Sequence, residues 1–181
     1  MSGGPQPPVG SVVTALYRWG LQNGVVMGLE IERKFLVCGD DWRQGSTGVL
    51  CRQGYLLSHL ACTIRVRMLG DQGFLTIKGQ TTGIARPEYE YVIPLADAQT
   101  MLDGLCARPL VEKIRYTITH AGTTWEIDEF LGENRGLIVA EVELESAEQA
   151  IALPTWVGQE VSFDSRYLNV NLAMHPFSSW L

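Results

Sequence analysis

No apolar run in the 181 residues approaches the roughly 20 that a membrane-spanning helix requires, so no membrane partner is expected. Positive charge is scarce as well. The 14 lysines and arginines are outnumbered by 20 acidic residues, and a net charge of −6 lacks the basic footprint on which nucleic-acid binding depends. Paired metal spacings such as C-x-x-C are missing among Cys38, Cys51, Cys62 and Cys106. With no signal-peptide pattern read ahead of them, reduced thiols and a cytoplasmic location are expected. His59, His120 and His175 fall in no nucleophile or zinc motif, which removes the commonest base and metal ligand from the candidates. There are no internal repeats and no low-complexity tracts.

What remains is an ordinary globular composition, 46% hydrophobic and 19% charged, long enough for one domain with one closed sheet. The first ten residues are rich in glycine and proline, and Arg18 is the one charged residue between positions 11 and 26. A flexible extension over 1–27, or else a natural start at Met27, and a domain over 28–181 are the expected division; a short helix over 12–19 is a further alternative. Period-two patterning then predicts strands at 29–37, 50–58, 61–69, 73–79, 88–93, 114–120, 123–130 and 136–145. A helix is predicted over 96–107, with Asp97 favourably placed near its positive end. A single turn is expected at 40–44, a short helix at 147–151 and a terminal helix at 165–174.

The strands are unusual in how they carry charge. Alternation puts Glu30, Glu32 and Lys34 on one face and Leu29, Ile31, Arg33 and Phe35 on the other. Neighbours in such a row are roughly 6.6 Å apart, close enough for two carboxylates to share a hard cation. Thr63, Arg65 and Arg67 form a second row, Lys78 follows across the turn-forming Gly70 to Gly73, and Lys113 with Arg115 forms a third. Glu88 with Glu90, Glu126 with Asp128, and Glu141 with Glu143 are acidic rows. Two like charges about 6.6 Å apart repel by roughly 2.5 kcal/mol at an effective dielectric near 20, so an enclosed Arg65–Arg67 row calls for an anion. Segregation of basic from acidic strands suits a polyanion plus a metal. Two arrangements fit the periodicity equally: charged rows in water around an ordinary core, or charged rows inside a wide barrel.

Taken together, these motifs resemble the CYTH family, the triphosphate tunnel metalloenzymes. The E-x-E-x-K signature stands at Glu30, Glu32 and Lys34, and the wording E-I-E-R-K-F-L-V is similar to the short bacterial tripolyphosphatase branch. T-x-R-x-R at Thr63, Arg65 and Arg67, then Lys78, E-x-E at Glu88 and Glu90, K-x-R at Lys113 and Arg115, Asp128, and E-x-E at Glu141 and Glu143 follow in the family's order. The resemblance spans 28 to about 174. It implies an α+β, mainly β fold: an eight-stranded antiparallel closed barrel with a polar lumen and a few flanking helices.

The resemblance further implies that Lys34, Arg65, Arg67, Lys78, Lys113 and Arg115 hold phosphate oxygens, with Arg86 and Arg166 as further candidates. Glu30, Glu32, Asp128, Glu141 and Glu143 would hold Mg²⁺ or Mn²⁺, hard cations suited to an all-oxygen set. Glu88, Glu90 and Glu126 are left without a role. Lys78, Tyr55 and Glu143 are the catalytic candidates: Lys78 as proton donor with Tyr55 as its partner, Glu143 beside the attacking water. The expected activity is metal-dependent hydrolysis of inorganic tripolyphosphate to pyrophosphate and phosphate by a monomer or homodimer. Thiamine triphosphatase, nucleoside triphosphatase and class IV adenylate cyclase are alternatives on the same fold, and a non-catalytic polyphosphate or nucleotide sensor is an alternative of another class.

Overall fold

The computed structural model describes residues 25–59 and 61–180, so the helix expected over 12–19 lies outside the described residues. Among the described residues nine strands form one sheet: β1 (Val25–Val37), β2 (Val49–His59), β3 (Cys62–Leu69), β4 (Gln72–Gly79), β5 (Ala85–Ile93), β6 (Val111–His120), β7 (Thr123–Phe130), β8 (Ile138–Glu143) and β9 (Val157–Glu160). All pairings are antiparallel, and the order β5-β4-β3-β2-β6-β7-β8-β1 closes on itself because β1 also pairs with β5. Strand β1 achieves this by dividing its length: Val25 to Ile31 pairs with β5, and Glu32 to Leu36 with β8. The ring therefore has eight strands, with β9 added along the end of β1.

Tight turns set the register. Between β3 and β4 the chain reverses through Gly70 and Asp71, with Gly70 at φ +58. Between β6 and β7, Ala121 and Gly122 both adopt positive φ, +48 and +81, the backbone of a two-residue turn whose twist matches its strands.

Apolar residues pack on the outside of the ring. Phe35, Trp125, Ile127, Ala140 and Val142 form a core with Trp42, from the single turn Asp41–Arg43, and with Trp156. Helix α1 (Leu95–Gly104) covers β3 and β4 by burying Ala98 and Leu102 against Val66. The inward rows are polar along most of the ring but end in Val111, Phe130 and Val139, which pack with Leu172 of α2 (Asn169–Met174), so the C-terminal segment seals a floor. Burial of these faces is the main favourable term in the fold. Among the described residues no helix is long and apolar enough to cross a membrane.

Three expectations need correction. Residues 147–151 are a turn at 147–148 followed by irregular chain, not a helix; five residues are too few to offset helix nucleation, and the Gln149 side chain instead accepts from Glu145 N at 2.7 Å. The terminal helix is divided: Ser165–Tyr167 is a 3-10 turn, Leu168 is extended, and α2 starts at Asn169. Strand β9 was not anticipated, because four residues containing Gly158 leave too short a pattern to read.

Candidate active site

Strand alternation places the charged rows inside the ring, which decides between the two arrangements left open by periodicity. Lys34, Arg65, Lys78, Lys113, Arg115, Asp128 and Glu141 are all buried. A cavity of about 240 Å³ inside the ring is lined by six cations, Lys34, Arg65, Arg67, Lys78, Arg86 and Arg115, and by seven carboxylates, Glu30, Glu32, Glu88, Glu90, Glu126, Glu141 and Glu143.

Register sets opposite charges side by side. Arg65, Thr76 and Glu90 lie in one line across β3, β4 and β5, and Thr63, Lys78 and Glu88 in the next. Glu90 accepts from Arg65 Nη2 at 3.1 Å, from Arg67 Nη2 at 2.9 and 3.0 Å and from Thr76 Oγ1 at 2.6 Å. The Nε atoms of both arginines are buried, and neither has a hydrogen-bond partner among the described residues. Burial alone would raise Glu90, but Arg67 and Arg65 hold it below the usual carboxylate range.

Lys78 donates to both oxygens of Glu30, at 2.8 and 2.9 Å, and sits 3.0 Å from Glu88. Arg86, opposite Glu30 on β5, donates to it at 2.6 Å. Burial lowers the Lys78 ammonium, helped by Arg65 and Arg86 and opposed by Glu30 and Glu88. Glu30, despite burial, is held well below the carboxylate range by Lys78 and Arg86. Lys34 pairs with Glu32 and Glu141, and Arg115 pairs with Glu126, with Asp128 at 2.7 Å and with Glu141 at 2.9 Å.

The acidic wall divides into two kinds of carboxyl. Glu141, though buried, is kept well below the ordinary range by Lys34, Lys113 and Arg115. Glu32 is pushed up to about 7 by burial and by Glu141, against Lys34, and Glu143 up to about 7 by desolvation and by Glu30, Glu88 and Glu32. Glu143 has no cation partner among the described residues, and solvent reaches it at the mouth of the cavity. Carboxyls raised by other carboxyls mark a place where a bound cation would relieve repulsion. The donors are all oxygen, so the set Glu30, Glu32, Glu141 and Glu143 fits a hard divalent ion. Among the described residues no three of them are gathered about one point, Lys34 standing between Glu32 and Glu141.

The other sequence candidates fall in three places. Tyr55 lines the cavity, its pKa pushed up to about 12 by burial against the nearby Arg65. Lys113 and Asp128 lie deeper: Lys113 and Arg115 both hold Asp128, whose carboxyl stays low despite complete burial. Arg166 is a correction. It is outside the lumen, with a side chain 63% exposed, held by its ion pair with Asp164 and stacked 5.1 Å from the Trp180 ring. Sequence reasoning passed over Thr76 and Gln53, although Thr76 shares the face of Lys78, and Gln53 that of Tyr55, at two-residue spacing.

Comparison with known proteins agrees with this architecture. The chain is 49% identical over 154 residues to an inorganic triphosphatase of Acetivibrio thermocellus, covering 85% of this chain and 99% of that one. It is 38% identical over 150 residues to an inorganic triphosphatase of Nitrosomonas europaea, covering 80% and 97%. A crystal structure of an inorganic triphosphatase superposes with a TM-score of 0.59 at 35% identity, covering 80% of this chain and 94% of the other. A model of the CYTH domain matches residues 28–172, so the chain belongs to the CYTH family.

Proposed function

We propose that this protein is an inorganic triphosphatase that hydrolyses tripolyphosphate to pyrophosphate and phosphate with the help of a divalent cation, Mg²⁺ or Mn²⁺. The observation that carries the reading is the charge balance of the lumen: six cations face seven carboxylates in one enclosed space. Six convergent cations are far more than a structural core needs, and they suit a polyanion. The seven carboxylates would repel that polyanion if it entered alone, so a positive ion must accompany it. The 49% identical relative, an inorganic triphosphatase matched over 99% of its length, supports the same reading.

Within this reading Arg65 and Arg67, which line the cavity, hold phosphate oxygens and are braced by Glu90. Lys34, Lys78, Arg86 and Arg115 neutralise charge from the remaining strands. Lys78, with its lowered ammonium, is suited to give a proton to the leaving phosphate. Tyr55 supplies a neutral O–H donor. When bound on Glu30, Glu32, Glu141 and Glu143, the divalent cation would neutralise the transferred group and acidify a nearby water. Among the described residues few apolar side chains line the cavity and Tyr55 is the one aromatic ring there, which favours an inorganic substrate over one carrying a base. The test is product analysis: tripolyphosphate should yield pyrophosphate and phosphate in equal amounts, and stepwise release of phosphate alone would contradict the assignment.

A further inference from the structure

We propose that Gln53 is a positioning residue for this reaction, its side-chain amide fixing the Tyr55 hydroxyl as a hydrogen-bond donor into the lumen. This rests on the triphosphatase reading above. Gln53 is completely buried and shares the inward face of β2 with Tyr55. Its Nε2 donates to Tyr55 Oη at 3.4 Å, while its Oε1 has no partner among the described residues. Register sets Gln53 directly across from Arg67 and Tyr55 across from Arg65. An NH₂ donates to the phenol oxygen beside it, which gives the amide this sense.

Packing gives no reason for an amide at this position. On the other side of β2 the partner of Gln53 is Val111, part of the apolar floor. A buried amide with one long hydrogen bond and an unpartnered carbonyl is less favourable than an apolar side chain of the same volume. Such a group calls for an explanation outside stability. Tyr55 provides one. A phenol has one proton to donate, and an oxygen that already accepts from Gln53 directs that proton elsewhere. Tyr55 lines the cavity, and burial keeps it protonated well above neutral pH. The pair thus presents a fixed O–H to a phosphate oxygen, a donor that needs no reorganisation as charge develops on the leaving group. No proton is transferred in this role.

The experiment is a double-mutant cycle of Gln53→Met, which keeps side-chain length and removes both polar atoms, with Tyr55→Phe. It is read on kcat/KM for tripolyphosphate with Mg²⁺ and on the calorimetric Kd of tripolyphosphate with Ca²⁺. Each single change should lower kcat/KM roughly 10-fold, and the double should be no worse than Tyr55→Phe alone. Gln53→Met should melt at or above the temperature of the parent. Losses that multiply in the double, or full activity in Gln53→Met, would overturn the proposal. Should Gln53→Met not fold, Gln53→Asn withdraws the same amide by one methylene and should show the same loss, and an unimpaired Gln53→Asn would overturn it. A parent chain that cleaves no tripolyphosphate contradicts the substrate reading instead; the cycle is then decided on Kd, where additivity rejects the Gln53 role.

Discussion

Glu32 of β1 and Glu143 of β8 stand directly across the antiparallel pair that forms the acidic wall of the lumen, and both carboxyls are pushed up to about 7. Of the two, Glu143 makes no ion pair among the described residues. Glu143→Gln should therefore leave the melting temperature unchanged and lower metal-dependent turnover by roughly 100-fold, as loss of a metal ligand or its near support does. Steady-state phosphate release measures this; undiminished activity would exclude a metal role.

Arg67 lines the cavity, its guanidinium braced by Glu90 through Nη2 at 2.9 and 3.0 Å. Arg67→Ala removes a charged hydrogen bond of about 1.5–3 kcal/mol, so kcat/KM for tripolyphosphate should fall roughly 10- to 150-fold. The fall appears in KM if the contact is made equally in the ground state, and in kcat if it forms mainly at the transition state. Unchanged kinetics would remove Arg67 from the phosphate site.

Glu90 joins Arg65, Arg67 and Thr76, and the two arginines hold its carboxyl below 4.5 against burial. A depressed carboxyl stabilises the fold above its unfolded-chain value and ceases to do so as pH falls through the lower folded value. Glu90→Gln should thus destabilise the protein at pH 7 by up to about 3 kcal/mol, and the deficit should shrink below pH 4.5. Urea unfolding across that range checks it. A deficit independent of pH would show that the ion pairs contribute nothing.

Asp128 has no exposed surface and serves Lys113 and Arg115 together. Asp128→Asn leaves two buried cations short of an anion, a loss of about 3–5 kcal/mol in denaturant unfolding. A stable Asp128→Asn protein with weakened divalent-cation binding would instead make Asp128 a metal ligand.

Much of this was legible in the sequence because a strand writes its two faces into alternate residues. Glu30, Glu32 and Lys34 read as one row before any fold is known, and the ring places them together. The side on which the row lies was not legible, since alternation is the same for a lumen and for a solvated face. Long-range pairing supplied the rest: Glu90 is 23 residues from Arg67, and only the β3–β4–β5 register shows that it braces the arginines. Arg166 was misplaced for the opposite reason: its motif is local, but the side chain pairs with the neighbouring Asp164 outside the cavity.

The most direct measurement is phosphate release by the purified chain from tripolyphosphate, ATP, thiamine triphosphate and pyrophosphate, each with Mg²⁺, with Mn²⁺ and with chelator. The lumen described here predicts turnover of tripolyphosphate above all the others, abolished by the chelator. No turnover of tripolyphosphate with either metal would contradict the account, and tight binding without cleavage would make the protein a sensor.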